Sequence, residues 1–314
     1  MKNNKLFLIA ALLGTVLAGC QKVSEIQTPE EKPDTQGWKL TVQVSKDAGT
    51  RALEYNSDGD NNYLRAYWAN GEKVDVYLVG GGKLGTLEVI TETGADPATL
   101  SGEIEVDGVT AESQLMLIYP GKEDAAWTYE DQTGLAVDDA YDYATAEVEV
   151  ASLDASTQTV NITPDADGTQ FKNEQSVYRF GFKAEDDFMS AYSLLITAVG
   201  DKDDEEDRIV VNRTLNDGEW TSNRGMLFME AGNRERPEGD YYFVALRNEI
   251  EDAPTQLNFL VVQKGGLLRF GSKTINKVLE NGKLYKATIK ADAYDCPETY
   301  DGAHGELASA ANIL

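Results

Sequence analysis

The sequence predicts an all-β chain of two tandem antiparallel β-sandwich domains, and three observations carry that expectation. From Trp38 onward apolar and polar residues alternate with period two, in short runs punctuated by turn residues roughly every eight to twelve positions. No long stretch holds a 3.6-residue period, so helices should be few and short. Leu115-Met116-Leu117-Ile118-Tyr119 and the run from Leu257 to Val262 are apolar nearly throughout, as central strands buried on both faces are.

Before the first strand the chain has the three zones of a secretory signal. Lys2 and Lys5 give a basic start, Leu6 to Ala18 is apolar and uncharged, and small residues precede Cys20. At about 13 residues the apolar run is shorter than the roughly 20 needed to span a hydrocarbon core, so it reads as a removable segment, residues 1–19. Leu17-Ala18-Gly19-Cys20 resembles the lipobox of bacterial lipoproteins, which implies a diacylglycerol and further acyl chains such as palmitate on Cys20. Each buried methylene adds roughly 0.8 kcal/mol to membrane affinity, so several chains on one residue anchor firmly. Residues 20–37 follow as a polar stem with Glu30, Glu31, Pro33, Asp34 and Gly37, which cannot build a core.

Composition excludes several classes of function. The formal charge is -26 and becomes -28 once residues 1–19, with two lysines and no acid, are removed. Nucleic-acid binding needs a basic face and is not expected. The chain has two cysteines and one histidine. With Cys20 acylated, Cys296 is left alone, so neither a disulfide framework nor a four-cysteine zinc site can form within the chain. A Ser-His-Asp or Cys-His site would have to use His304, near the C-terminus among glycines and alanine. With 54 acidic residues, any two paired carboxylates carry no information about glycoside hydrolysis. No enzyme, cofactor or metal is expected.

The alternating runs begin with Trp38, Leu40, Val42 and Val44 against Lys39, Thr41 and Gln43. They recur at 73–79, 84–91, 102–106, 114–119, 147–153 and 159–163, then at 177–183, 193–199, 208–214, 225–229, 241–247, 256–263 and 284–290. Pro164-Asp165-Ala166-Asp167-Gly168 interrupts the pattern and suggests an N-terminal domain over 38–168 and a C-terminal one over 169–291. Residues 292–314 form a tail. Gly80-Gly81-Gly82-Lys83 lacks the spacing and the following helix of a phosphate loop and reads as a hairpin turn. Asn56 to Asn62 and Asp201 to Asp207 are oxygen-rich, but without EF-hand spacing they read as solvated turns. Tyr141, Tyr143, Tyr241 and Tyr242 could stack on sugars, although strand aromatics are usually packing groups.

Gly49-Thr50-Arg51-Ala52 closes a short polar linker directly after the first strand. Small residues flank the arginine in what should be an accessible loop, as an arginine-specific protease requires. The order of these features resembles the fimbrillin family of type V pilins. The resemblance rests on the lipobox at Cys20, an alternating strand, Thr50-Arg51-Ala52, and Trp68-Ala69-Asn70-Gly71-Glu72-Lys73-Val74-Asp75-Val76-Tyr77. Leu279-Glu280-Asn281-Gly282-Lys283-Leu284-Tyr285 ahead of the last alternating run adds to it, and the likeness covers roughly residues 17–290.

That resemblance implies two transthyretin-like β-sandwich domains and a structural subunit of surface fimbriae in a Gram-negative bacterium. It implies an outer-membrane lipoprotein precursor at the cell surface that is cut between Arg51 and Ala52 and then enters the fimbrium. Residues 38–51 would leave with the lipid, emptying the positions of Trp38, Leu40, Val42 and Val44. An open sheet edge is a template for pairing with another chain. A strand from a second subunit would fill it, with Leu307, Ser309, Ala311 and Ile313 as the candidate donor face. The expected partners are other fimbrial subunits, the protease, and the membrane before cleavage. A fimbrial tip or anchor subunit used in adhesion, and a surface glycan-binding lipoprotein, are the alternative readings.

Overall fold

The computed structural model describes residues 37–46, 54–58, 61–65, 68–91, 97–135, 139–163, 168–199, 209–230, 241–249, 254–263 and 266–293. Within them the only helical element is one 3-10 turn, Asp139–Tyr141. The strands of the first part are β1 (Trp38–Lys46), β2 (Glu54–Asp58), β3 (Asn61–Arg65), β4 (Lys73–Leu78), β5 (Lys83–Ile90) and β6 (Ala98–Ile104). They continue with β7 (Gln114–Tyr119), β8 (Ala126–Thr128), β9 (Ala144–Asp154), β10 (Thr159–Ile162) and β11 (Thr169–Asn173). The second part holds β12 (Ser176–Ala184), β13 (Asp187–Phe188), β14 (Ser193–Val199), β15 (Ile209–Asn216) and β16 (Glu219–Gly225). It ends with β17 (Leu227–Met229), β18 (Tyr241–Leu246), β19 (Gln256–Val262), β20 (Leu268–Thr274) and β21 (Leu284–Ala293).

The all-β, two-lobed architecture expected from the alternation is what the chain adopts. The first sheet runs β10-β1-β11-β9-β7-β4-β5-β6, and the further pairing of β1 with β6 closes it on itself. The second runs β13-β12-β21-β20-β19-β14-β17, with β18 also bonded to β12. Most neighbours are antiparallel. The parallel exceptions are β1 with β10 and β11, and β12 with β21. Each involves strands far apart in sequence, for which no tight turn is needed.

Each sheet buries its alternate side chains. The first core includes Leu40, Val42, Trp68, Leu87, Leu117 and Phe171. The second includes Tyr178, Phe180, Phe182, Leu194, Tyr242 and Phe259. β7 and β19 lie between two neighbours each and are largely buried, as their apolar runs required.

The stretch Trp68 to Tyr77 builds a turn and a buried polar knot. Glu72 accepts the Ala69 amide (2.8 Å) and the Tyr119 hydroxyl (2.7 Å). Asp75, fully buried, accepts the Thr86 hydroxyl (2.7 Å) and the Lys122 amide (2.8 Å), and pairs with Lys83 at 2.8 Å. Three donors on one carboxylate compensate its desolvation. Burial, then the negative charges of Asp75 and Asp124, push the Tyr77 hydroxyl up to about 12. Gly80-Gly81-Gly82 forms the β4–β5 hairpin turn, closed by Gly81 N donating to Leu78 O at 2.8 Å.

The two lobes share a small sheet, β16-β15-β8, in which the β15–β16 hairpin of the second lobe pairs with β8 of the first. Trp127 and Trp220 meet at 5.1 Å, and the Arg213 guanidinium lies 4.0 Å from the Trp220 ring centre. At the hairpin tip, Gly218 adopts φ +78, and a Cβ there would sit 2.6 Å from Gly81 N. In return, Gln132 of the first lobe bonds both backbone groups of Ala245 in β18, donating at 2.8 Å and accepting at 2.7 Å.

Candidate functional site

The candidate site is the position that β1 fills. Trp38, Leu40, Val42 and Val44 point to one face and Lys39, Thr41 and Gln43 to the other, because successive side chains of a strand alternate. Leu40, Val42 and Val44 are 0% exposed, and Trp38 packs against the same core. On one side β1 runs antiparallel to β6 through seven consecutive pairs, from Trp38↔Ile104 to Val44↔Ala98. On the other it runs parallel to two separate short strands. Lys39 and Leu40 pair with Thr159 and Val160 of β10, while Val44, Ser45 and Lys46 pair with Thr169, Gln170 and Phe171 of β11. Among the described residues, Thr41 to Gln43 have no registered partner on that side.

Removing β1 would thus open a slot between β6 and the β10–β11 side and expose the floor of the first core. Fully burying a Val or Leu side chain contributes about 1.5–3 kcal/mol, so Leu40, Val42 and Val44 together supply roughly 5–9 kcal/mol. That rivals the whole margin of about 5–15 kcal/mol that keeps a domain folded. An emptied slot therefore needs a new occupant. Past β1, β2 and β3 pair with each other in a two-stranded sheet, and the large sheet resumes at β4. The chain between β1 and β4 adds no strand to it among the described residues.

Of the residues singled out in the sequence, Trp38, Leu40, Val42 and Val44 come together here. Cys20, Arg51, Ala52, Cys296, His304 and the donor candidates Leu307, Ser309, Ala311 and Ile313 lie outside the described residues, as does the Asp201 to Asp207 run. Of the segment from Asn56 to Asn62, Asn56, Ser57 and Asp58 lie on β2 and Asn61 and Asn62 on β3, while Gly59 and Asp60 lie outside the described residues. Tyr141, Tyr143 and Tyr242 are buried, and the Tyr241 ring has the Arg179 guanidinium 3.8 Å from its centre. None of the four offers an open platform to a sugar. Among the described residues no three His, Cys, Asp or Glu side chains group as metal ligands.

Sequence reasoning missed the charged cluster at the lobe junction. Glu174, between β11 and β12, pairs with Arg247 and with Arg213 (2.9 Å) and accepts the Thr145 hydroxyl at 2.7 Å. Glu249 pairs with Arg224 and approaches Arg247 at 3.7 Å. Burial alone would raise the Glu174 carboxyl, but Arg247, the Thr145 hydrogen bond and Arg213 outweigh it and hold the group below its usual value of 4.5. Burial and the neighbouring Arg247 lower Arg213, against the pull of Glu174. These charges are scattered from position 174 to 249, so no local pattern marks them.

No family model matches the chain, and no curated protein matches it. Solved structures do. Two are described as putative cell adhesion proteins. One, from Bacteroides uniformis ATCC 8492, is 15% identical with a TM-score of 0.41, over 81% of this chain and 96% of that one. The other, from Parabacteroides distasonis ATCC 8503, is 12% identical with a TM-score of 0.41, over 84% and 92%. A third, the tip fimbrial protein Mfa3 from Porphyromonas gingivalis with C-terminal truncation, is 10% identical with a TM-score of 0.38, over 83% and 96%.

Proposed function

We propose that the chain is a structural subunit of surface fimbriae, exported as a lipoprotein on Cys20, cut between Arg51 and Ala52, and polymerised by strand exchange. The observation that carries this reading is the placement of β1. It is the strand that closes the first sheet, its inward face from Trp38 to Val44 is apolar, and among the described residues the sheet does not resume until β4. A cut after Arg51 therefore frees one strand and severs no other strand of the large sheet. The slot left behind spans seven pairs with β6, about 23 Å at a rise of roughly 3.3 Å per residue. Residues 307–314 extended would span about 26 Å on the same scale. Leu307 and Ile313 suit the outer pockets, whereas Ser309 and Ala311 underfill those of Leu40 and Val42. A contact that passes from one copy to the next without closing on itself yields a filament.

Limited trypsin treatment of the purified, unlipidated precursor tests the reading. Early cleavage after Arg51 should be followed by a ladder of SDS-resistant oligomers, and deleting residues 307–314 should abolish the ladder. A cut product that stays monomeric with its tail intact would refute the assembly.

A further inference from the structure

β20 and β21 are paired at only three positions, Arg269↔Ala293, Phe270↔Asp292 and Gly271↔Ala291. Beyond Gly271 they part, β20 following β19 to Thr274 and β21 following β12 from Leu284 to Lys290. Between them opens a cleft of about 350 Å³, floored by Phe180, Leu257 and Leu279, with the exposed Lys273, Lys277 and Lys286 on its walls. Ligand pockets generally occupy about 300–1,000 Å³. The Tyr285 ring in this cleft is already engaged, with Tyr178 at 5.1 Å and the Lys277 ammonium 4.5 Å from its centre. Stacking of a sugar there would first have to displace these neighbours.

Charge points to the occupant. Lys273, Lys277, Lys283, Lys286 and Lys290 against Glu280 and Asp292 give residues 273–292 a net +3 in a chain of -26, Glu280 lying 4.0 Å from Lys283 and Asp292 3.8 Å from Lys290. All five lysines are exposed. The chain leaves β21 at Ala293 and enters residues 294–306, outside the described residues. That segment carries Asp295, Glu298, Asp301 and Glu306 with no lysine or arginine, a net -4.

We infer that residues 294–306 dock back onto the cleft between β20 and β21 of their own lobe, Tyr300 against the apolar floor and the flanking carboxylates on Lys273, Lys277 and Lys286. The reach is right. From Ala293 back to Lys286 is seven strand residues, about 23 Å, and seven extended residues onward from Ala293 arrive at Tyr300. So short a tether holds the segment at an effective concentration in the millimolar range, which favours it over the same segment of another copy. Docked there, it fixes where residues 307–314 leave the second lobe. The inference concerns the second lobe and does not require cleavage at Arg51.

The full chain carrying Cys20→Ser keeps Cys296 as its one thiol, and a nitroxide attached there reports docking by electron spin resonance. At low salt the label should be immobilised. In 1 M salt, where screening shortens to about 3 Å, it should move freely. Reversing Lys273, Lys277 and Lys286 to Glu should lower the docked-to-free ratio roughly tenfold, three exposed pairs acting together. Tyr300→Ala should also free the label, as should an excess of synthetic peptide 294–306. A label that tumbles freely at low salt, or stays immobilised through the charge reversals, overturns the inference. Immobilisation that grows with protein concentration assigns the cleft to a second copy and overturns it equally. Trypsin ladders measured on the same variants keep this test separate from the assembly reading, since a ladder with a freely moving label defeats only the docking.

Discussion

β1 and β12 occupy the same place in their lobes and are held there very differently. Each is the first strand of its sheet, with an antiparallel neighbour on one side, β6 or β18, and a parallel one on the other. The parallel side of β12 is one unbroken ladder of seven pairs with β21, from Val177↔Leu284 to Lys183↔Lys290. Among the described residues, that of β1 is registered only at Lys39 and Leu40 with β10 and at Val44 to Lys46 with β11. β12 buries aromatic side chains that interlock with the opposite layer, Phe180 and Phe182 meeting Phe259 at 4.8 and 5.5 Å. β1 buries the compact aliphatic Leu40, Val42 and Val44, with the half-buried Trp38 packed against the core at one end. β12 also follows β11 with only Glu174 and Gln175 between them, both bonded into the junction. The two strands thus share a topology and differ in side-chain shape and in the continuity of their parallel ladder.

The comparison can be broken at its strongest point first. Phe180→Ala should cost about 3–5 kcal/mol, since the rings around it cannot collapse into the space. Its urea midpoint should fall by the same amount before and after cleavage at Arg51. Leu40→Ala should cost about 2–5 kcal/mol in the uncut chain. Its effect should vanish from the assembled, cleaved subunit, because the residue has left; an equal loss in both forms would mean that β1 stays in place. Glu174→Gln should cost about 3 kcal/mol, the low end for breaking a buried pair, because Arg213 and Arg247 keep their charges. The acid limb checks that assignment. A carboxyl held below its ordinary value stabilises the fold fully above the unfolded value and loses that contribution as pH falls through the lowered one. The wild-type melting temperature should therefore fall more steeply below pH 4.5 than that of the variant.

Much of the strand plan was legible because the core faces alternate. The runs at 114–119 and 193–199 coincide with β7 and β14, and the remaining runs overlap strands with shifts of a few residues at their ends. β16 escaped notice because its alternation is polar on both faces, with Trp220, Ser222 and Arg224 half-covered by the junction. β8, three residues long, is a strand only because β15 arrives from the other lobe. The inward face of β1 could be read directly from Trp38, Leu40, Val42 and Val44. Its neighbours could not, since a parallel partner more than a hundred positions away leaves no trace in local spacing. The interruption from Pro164 to Gly168 falls between β10 and β11, both strands of the first sheet.

The shared sheet at the junction has a mechanical meaning. Tension entering one lobe can reach the other along two routes, the covalent passage from β11 through Glu174 to β12 and the ladder from β8 through β15 to β16. The second route ends where Gly218 rests on Gly80 and Gly81 with no side chain between the backbones. A joint with two legs resists bending as well as stretching. In a filament, the subunit would turn as one stiff link, and compliance would fall to the segments between copies.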